Sequence, residues 1–156
     1  MARLYLCTSF ERVEEMRRHR EELRGLGHHV TSRWIDLSDG MDDKEIMEDP
    51  RMAQGFAVDD IADIMSADAM LMFTGISSTT GGYHTEFGVA LMIGKHVIII
   101  GPRENIFQAY QGVDQFDTWA KFMTHARRLS ATSDSPSGSS EESSSGTAGS
   151  SETPNG

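Results

Sequence analysis

Segments of strand length alternate with segments of helical periodicity along most of the chain, and this alternation restricts the fold more than any other feature. Residues 96–100 read HVIII, a continuous apolar run typical of a parallel strand that helices cover on both faces. Residues 3–8 (RLYLCT), 29–34 (HVTSRW) and 69–74 (AMLMFT) are further strand candidates. Such alternation implies right-handed crossovers and a parallel sheet.

The spacing of apolar residues predicts helices between these strands. Residues 10–23, 53–67, 83–94 and 118–129 have helical periodicity, whereas the acidic stretch 36–52 reads as a loop with at most one short helix. We therefore predict a three-layer α/β/α domain with a mostly parallel, flavodoxin-like five-stranded sheet. Ligands of such folds bind beyond the carboxyl ends of the strands, where the strand order reverses.

The composition changes sharply after Leu129. Residues 130–156 consist mainly of Ser, Gly, Thr, Pro, Ala and a few acids, with no aromatic or large aliphatic side chain. Such a segment buries too little apolar surface to offset its loss of conformational entropy. The sequence therefore predicts one domain over residues 1–129 and a disordered Ser/Gly-rich acidic tail over residues 130–156.

The charge distribution disfavours polymeric nucleic acid as a partner. The chain has 14 Lys and Arg against 24 Asp and Glu, a formal net charge of −10. Arg17, Arg18, Arg20 and Arg24 interleave with acidic residues on one predicted helix, so they indicate a solvated, charge-paired face rather than a basic patch.

No stretch of 18 apolar residues and no signal-peptide pattern occurs, so we expect no association with a membrane. Cys7 is the single cysteine, which excludes an internal disulfide and suits a reducing compartment. These features predict a cytoplasmic protein. No zinc-ligand spacing, dinucleotide-binding motif or Walker A motif is present, so we expect no metal and no cofactor.

The densest group of chemically useful residues is the stretch 74–88 (TGISSTTGGYHTEFG), where a strand, a glycine- and hydroxyl-rich loop and a helix follow one another. Free backbone N–H groups at such a helix start favour an anion or a sugar hydroxyl. Glu86 is predicted in the first turn, where the helix dipole keeps a carboxylate ionised. An ionised carboxylate beside a sugar is suited to nucleophilic attack at an anomeric carbon. The alternative is a glutamate that only complements the dipole.

Five blocks of sequence resemble the nucleoside 2-deoxyribosyltransferase-like family, including the versions found in phage genomes. They occur in the family's order across most of the domain, and the fourth contains the G-x-x-x-E-[LF]-G-x-A pattern around Glu86. The blocks are residues 4–10 (LYLCTSF), 30–34 (VTSRW), 60–68 (DIADIMSAD), 80–91 (TGGYHTEFGVAL) with Gly94 and Lys95, and 101–107 (GPRENIF).

The resemblance implies roles for three residues. Glu86 matches the family's nucleophile, Asp60 matches the aspartate that protonates or holds the base, and Tyr5 matches the tyrosine that orients the nucleophile. For Asp60 the alternative is an exposed helix acid like its neighbours Asp59 and Asp63. The resemblance also implies a homo-oligomer, a dimer or larger.

A wider set of residues is predicted to bind the substrate. Ser9 and Phe10 follow the first strand and are candidates for the sugar pocket, although Ser9 is equally suited to cap a helix. Trp34 is a candidate for stacking on a base, with core packing as the alternative. The remaining candidates belong to the glycine- and hydroxyl-rich loop: Ser78, Thr79, Thr80, Gly81 and Gly82.

One departure from the family leaves the reaction open. The family's transferases place a second aspartate just before the glutamate motif, where this chain has hydroxyl residues. That loop is similar to the related deoxynucleoside-monophosphate glycosidases, whose loop binds a 5′-phosphate. The first expectation is a nucleoside 2-deoxyribosyltransferase that exchanges bases through a covalent glycosyl-Glu86 intermediate. The alternatives are a nucleoside 5′-monophosphate N-glycosidase and a non-catalytic nucleotide-binding module; in each case the partner is a small nucleoside or nucleotide.

Overall fold

The computed structural model describes residues 1–38, 40–41, 43–75 and 81–133. Strands and helices alternate along these ranges, with two 3-10 helices at Phe10–Arg12 and Ile106–Ala109. The strands are β1 (Arg3–Cys7), β2 (His29–Val30), β3 (Ala69–Phe73), β4 (His96–Ile100) and β5 (Val113–Phe116). The helices are α1 (Val13–Gly25), α2 (Trp34–Leu37), α3 (Asp43–Glu48), α4 (Pro50–Ser66), α5 (Gly82–Met92) and α6 (Trp119–Ser133).

The five strands form one parallel sheet in the order β2-β1-β3-β4-β5. β3 is buried along its whole length, as expected for a strand between two helical layers. Alternate residues of β1 point to opposite layers, so Tyr5 and Cys7 share one face of the sheet. The predicted three-layer, flavodoxin-like fold is confirmed.

Helices α4 and α5 contact each other and β1 on one face of the sheet. On the other face an aromatic group joins α1, β3 and α6: the His19 ring stacks on Phe73 and on Trp119. None of the helices within the described ranges is both long and apolar enough to cross a membrane.

The strand order reverses between β1 and β3, which are neighbours in the sheet. The chain leaves the two strands in different directions at this point, so a crevice opens at their carboxyl ends. The residues that follow β1, from Thr8 on, and the described residues that follow β3, Thr74 and Gly75, therefore lie at one edge of the sheet.

The second strand is shorter than predicted, and Trp34 begins α2 instead of ending β2. The last backbone bond to β1 runs from Thr31 N–H to the Leu4 carbonyl, and a side chain then takes over: Ser32 Oγ accepts from Leu6 N at 2.7 Å and donates to the Leu6 carbonyl at 3.2 Å. The chain is then free to turn into α2. The prediction of a strand over residues 29–34 is wrong beyond Val30.

Two other segments also differ from prediction. The acidic stretch contains the end of α2, all of α3 and the start of α4, where Asp49 caps the helix and Pro50 occupies its first turn. β5 reads VDQF and was not among the predicted strands, because half of its residues are polar, as an edge strand allows.

The end of the domain is described only in part. α6 continues to Ser133, four residues past the predicted helix end at Leu129. Residues 134–156 lie outside the described residues, so the predicted disordered tail and the domain boundary stay predictions.

Candidate functional site

A cavity of about 330 Å³ lies at the crevice between α4 and α5, beside the 3-10 helix that follows β1. Most of its lining is apolar, and its two charged groups among the described residues are the carboxylates of Asp60 and Glu86. A mostly apolar cavity with a few convergent polar groups is the usual form of a small-molecule site. The lining residues are Phe10, Ile46, Met47, Ala53, Phe56, Ala57, Asp60, Ile61, Ile64, Gly82, Thr85, Glu86 and Val89.

Glu86 lines this cavity from α5. It is the fifth residue of the helix, which begins at Gly82, so the prediction that it lies in the first turn is wrong. The dipole of the helix start therefore acts on it less strongly than predicted, because the effect falls off within the first turn. Its buried neighbours are Tyr5 and Cys7: burial first, and then the charge of Glu86, raises the pKa of the Tyr5 hydroxyl and of the Cys7 thiol.

Asp60 lines the same cavity from α4. Its pKa is raised from 3.8 to about 6, chiefly by burial and further by the negative charges of Asp63 and Asp59. The Tyr5 hydroxyl and Arg33 oppose this rise. A carboxyl group with a pKa near neutrality is able to donate and accept a proton.

The two neighbouring acids have structural partners instead. Asp63 is buried and accepts hydrogen bonds from the backbone N–H and the Nε of Arg33, both at 2.8 Å. Asp59 forms an ion pair with Arg33 Nη1 at 2.9 Å. Of the three acids, Asp60 is therefore the one that faces the cavity, which agrees with the predicted choice.

The phenol of Tyr5 is completely buried under this site. No described residue offers its hydroxyl a hydrogen bond of standard geometry. Burial raises its pKa well above the usual range, and the charges of Glu86 and Asp60 raise it further. The hydroxyl therefore stays protonated between two carboxylates, where it is available as a donor.

Cys7 adds a group that the sequence reasoning did not single out. Its thiol donates to the carbonyl of Tyr83 at 3.3 Å, so it ties β1 to the first turn of α5. Burial raises the pKa of this thiol, and the adjacent Glu86 adds to the rise. A protonated thiol is a packing and donor group rather than a nucleophile. Its spacing from Tyr5, two residues along one strand, was the available signal.

Of the two predicted site residues that follow β1, one lines the cavity and the other caps the neighbouring 3-10 helix. Phe10 lines the cavity, and its predicted contact with a sugar stays a prediction. Ser9 does not line it; it caps the 3-10 helix by accepting from the backbone N–H of Glu11 at 3.4 Å. The helix-capping alternative therefore describes Ser9 in this structure.

Trp34 lies in the core behind Phe10. Its Nε1 donates to the Leu6 carbonyl at 2.9 Å, and its ring meets that of Phe10 edge-on at 5.4 Å between centroids. The side chain is 3 % exposed. A role in stacking on a base does not fit this placement, because the indole is buried and does not line the cavity.

The loop before α5 is described only at its ends. Gly82 lines the cavity, and Gly81 precedes the helix in a left-handed conformation with φ 68°, which favours glycine. Ser78, Thr79 and Thr80 lie outside the described residues, so their predicted role in substrate binding stays a prediction.

The apolar wall of the cavity comes largely from one stripe of α4. Ala53, Phe56, Ala57 and Ile64 follow each other at helical spacing on the face that also carries Asp60. Of the apolar residues that gave residues 53–67 their helical periodicity, Phe56, Ile61 and Ile64 border the cavity, whereas Met65 is exposed. An apolar stripe that contains an acid is the sequence signal from which a lined cavity could have been predicted.

Within the described part of the chain, no group of three or more His, Cys, Asp or Glu side chains is arranged to hold a metal ion. The expectation that the site works without a metal or cofactor stays an expectation. Among the described residues, the polar side chains at the cavity are the carboxylates of Asp60 and Glu86 and the Thr85 hydroxyl, with the Tyr5 hydroxyl buried beside the two acids.

Comparisons with known proteins agree with this architecture. No family model matches the chain, and no curated protein is similar to it in sequence. Among solved structures it is similar to a 2-deoxyribosyltransferase of Bacillus psychrosaccharolyticus, with 21% identity, a TM-score of 0.61 and coverage of 78% of this chain and 90% of the other. It is also similar to a CMP N-glycosidase of Clostridium botulinum, with 18% identity, a TM-score of 0.50 and coverage of 83% and 98%.

At these identities the likeness establishes the fold. Both neighbours fit the family resemblance predicted from the sequence. The predicted similarity to phage versions of the family remains a prediction.

Proposed function

We propose that this protein is an enzyme that breaks N-glycosidic bonds, and specifically a nucleoside 2-deoxyribosyltransferase. The observation that carries the proposal is the meeting of Asp60 and Glu86 at one largely apolar cavity, with the Tyr5 hydroxyl buried beneath them. A carboxylate nucleophile and a carboxylic acid of raised pKa are the two groups that glycosyl transfer with retention requires. The named activities of the two structural neighbours support the same chemistry.

In the first step a Glu86 carboxylate oxygen attacks C1′ of the 2-deoxyribose. The bond from C1′ to the base nitrogen breaks, and its electron pair leaves with the base. Asp60 donates its proton to the departing base, so the base leaves neutral. The product is a glycosyl ester on Glu86 and an ionised Asp60.

In the second step a nitrogen of another base attacks C1′ and displaces the Glu86 carboxylate. The proton that the incoming base loses returns to Asp60, which restores the starting state. The Tyr5 hydroxyl orients Glu86 and stabilises its negative charge in the resting and final states. Because the Asp60 pKa is about 6, its acid form becomes scarce above that pH.

A second candidate is hydrolysis of a nucleoside 5′-monophosphate, with water in place of the acceptor base. The structural likeness to a CMP N-glycosidase favours it, as does the hydroxyl-rich sequence before α5. The same Glu86 ester would form in both reactions. The two differ in the acceptor and in the requirement for a 5′-phosphate.

The proposal includes a cytoplasmic homo-oligomer that acts on a small nucleoside or nucleotide and on a free base. Exposed apolar side chains on α4 and α5, such as Val58 (60 % exposed) and Met92 (86 %), are compatible with a subunit contact.

The assay that tests the function is a panel of deoxynucleosides, ribonucleosides and their 5′-monophosphates, each with and without an acceptor base. Liquid chromatography of the bases separates the outcomes. Base exchange only with acceptor is the result expected for a transferase. Base release without acceptor identifies the hydrolase, and no turnover on any substrate supports the non-catalytic binding module.

A further inference from the structure

The carboxylate of Glu104, which follows β4, joins the two ends of the connection between β3 and α5. Its Oε1 accepts from the backbone N–H of Gly75, two residues after β3, at 2.8 Å. Its Oε2 accepts from the hydroxyl of Tyr83, the second residue of α5, also at 2.8 Å. One side chain therefore fixes both the point where the chain leaves the sheet and the point where the helix begins.

Glu104 is itself held by the core. Its backbone N–H donates to Oε1 of Gln108 at 2.6 Å, and Gln108 is completely buried. The Gln108 Nε2 in turn donates to Sδ of Met72, on β3, at 3.6 Å. A buried, satisfied polar network of this kind limits the movement of its members.

Tyr83 connects Glu104 to the candidate site through its carbonyl group and its position on α5. Its carbonyl accepts from the thiol of Cys7, which is packed beside Glu86. Glu86 is three residues further along α5, so it shares a side of the helix with Tyr83. Burial first, and then the bond to Glu104, raises the pKa of Tyr83 to about 12, so the phenol remains a donor at neutral pH.

We propose that Glu104 is a positioning residue that holds the start of α5, and through it the Glu86 carboxylate, in register with the cavity. The catalytic consequence rests on the proposed function, whereas the restraint on α5 does not. Removing the restraint allows the first turn of α5 to shift while the apolar walls on α3 and α4 keep their shape. Glu104 therefore contributes more to turnover than to substrate binding.

The test compares Glu104→Ala and Tyr83→Phe with the native full chain, by kinetics and by amide hydrogen exchange. For Glu104→Ala we expect kcat to fall about 10- to 100-fold, because a misplacement of the reacting group by about 1 Å produces a loss of rate of this size. We expect KM to change by less than about threefold. Tyr83→Phe removes one of the two bonds, so we expect a smaller fall in kcat. In the double variant the two effects should not add, because both act through one contact.

Amide hydrogen exchange measures the restraint on the start of α5 in the absence of substrate. The Gly75 amide and the first turn of α5 should exchange faster in Glu104→Ala than in the native chain. Asp114→Ala is the matched control: its carboxylate pairs with His96 at 2.8 Å, at the amino end of β4, far from the carboxyl-end crevice. We expect this variant to leave both kcat and exchange near Gly75 unchanged.

The results separate the two proposals. If the native chain has no N-glycosidic activity but exchange accelerates in Glu104→Ala, the proposed function fails and the restraint stands. Native kcat in both Glu104→Ala and Tyr83→Phe would overturn the positioning role, as would an equal loss in Asp114→Ala. A rise in KM with unchanged kcat would also overturn it.

Discussion

Asp60 on α4 and Glu86 on α5 line one cavity, and the buried hydroxyl of Tyr5 feels the charge of both. The two carboxylates sit in different surroundings: Asp60 lies near Asp59 and Asp63, whereas Glu86 packs beside the Tyr5 phenol and the Cys7 thiol. Surroundings that differ in this way separate the roles of two acids in one site. The predictions below follow from that separation.

Replacement of Glu86 by Gln keeps the shape of the cavity but removes the nucleophile. We expect the rate of base exchange or release to fall more than about 10³-fold, measured by chromatography of the free base. Glu14→Gln serves as the control, because Glu14 is an exposed acid of α1 that pairs with Arg17. Turnover of Glu86→Gln within about tenfold of the native rate would exclude Glu86 as the nucleophile.

Replacement of Asp60 by Asn should stabilise the protein in a pH-dependent way. The folded state raises the Asp60 pKa from 3.8 to about 6, so the native chain loses free energy of unfolding as pH rises through that window. Asn has no charge to bury, so we expect the free energy of unfolding of the variant to exceed that of the native chain by at most about 3 kcal/mol at pH 7.5. Below pH 4 we expect little difference. Urea unfolding at the two pH values measures this difference.

The same Asp60 variant should lose activity, a trade-off expected where a site keeps a destabilised acid. An equal gain in stability at both pH values would mean that the charge of Asp60 is not the cause. Asp117→Asn, at an exposed acid that pairs with Lys121, is the control for a general charge effect.

Removal of the Tyr5 hydroxyl in Tyr5→Phe should slow the reaction but not weaken the fold. The hydroxyl interacts with the charges of Glu86 and Asp60, yet no described residue gives it a hydrogen bond of standard geometry, so we expect the free energy of unfolding to change by less than about 1 kcal/mol. We expect kcat to fall about 10- to 100-fold, because Glu86 loses the group that orients it. Thermal unfolding and steady-state kinetics check the two parts, and a large loss of stability with native kcat would contradict both.

Variants at Phe10 and at Trp34 should have different effects: the first on substrate binding, the second on the stability of the fold. Phe10→Ala removes a ring from the cavity wall, so we expect KM to rise about tenfold or more. Trp34→Phe removes the bond to the Leu6 carbonyl within the core, so we expect a loss of about 1–2 kcal/mol in unfolding free energy and a KM near the native value. If KM rises as much in Trp34→Phe as in Phe10→Ala, Trp34 belongs to the binding site.

The sheet was largely predictable because β1, β3 and β4 each contain a run of at least four apolar residues, which is typical of a parallel sheet covered on both faces. β2 and β5 lie at the edges, where polar residues are tolerated and the apolar signal is weak. The turn of the chain after Val30 depends on hydrogen bonds between Ser32 and Leu6, a long-range contact that no local pattern encodes.

For the site, the family resemblance of the segments around Glu86 and Asp60 identified the two acids, and the structure brings both to one cavity. The turn in which Glu86 lies was misjudged, because helix starts are uncertain by a residue or two from sequence. The bonds from Glu104 to Gly75 and Tyr83 were not foreseen, since they join three separate segments of the chain.

Trapping of the covalent intermediate tests the central claim most directly. A nucleoside with fluorine at C2′ slows both steps, because fluorine destabilises the oxocarbenium-like transition state and lets the glycosyl ester accumulate. Mass spectrometry of the intact chain and of its peptides should then show one fluorinated deoxyribosyl group on the peptide that contains Glu86, and none in Glu86→Gln. Base release from this substrate with Glu86 unmodified, or the same label in Glu86→Gln, would contradict the account.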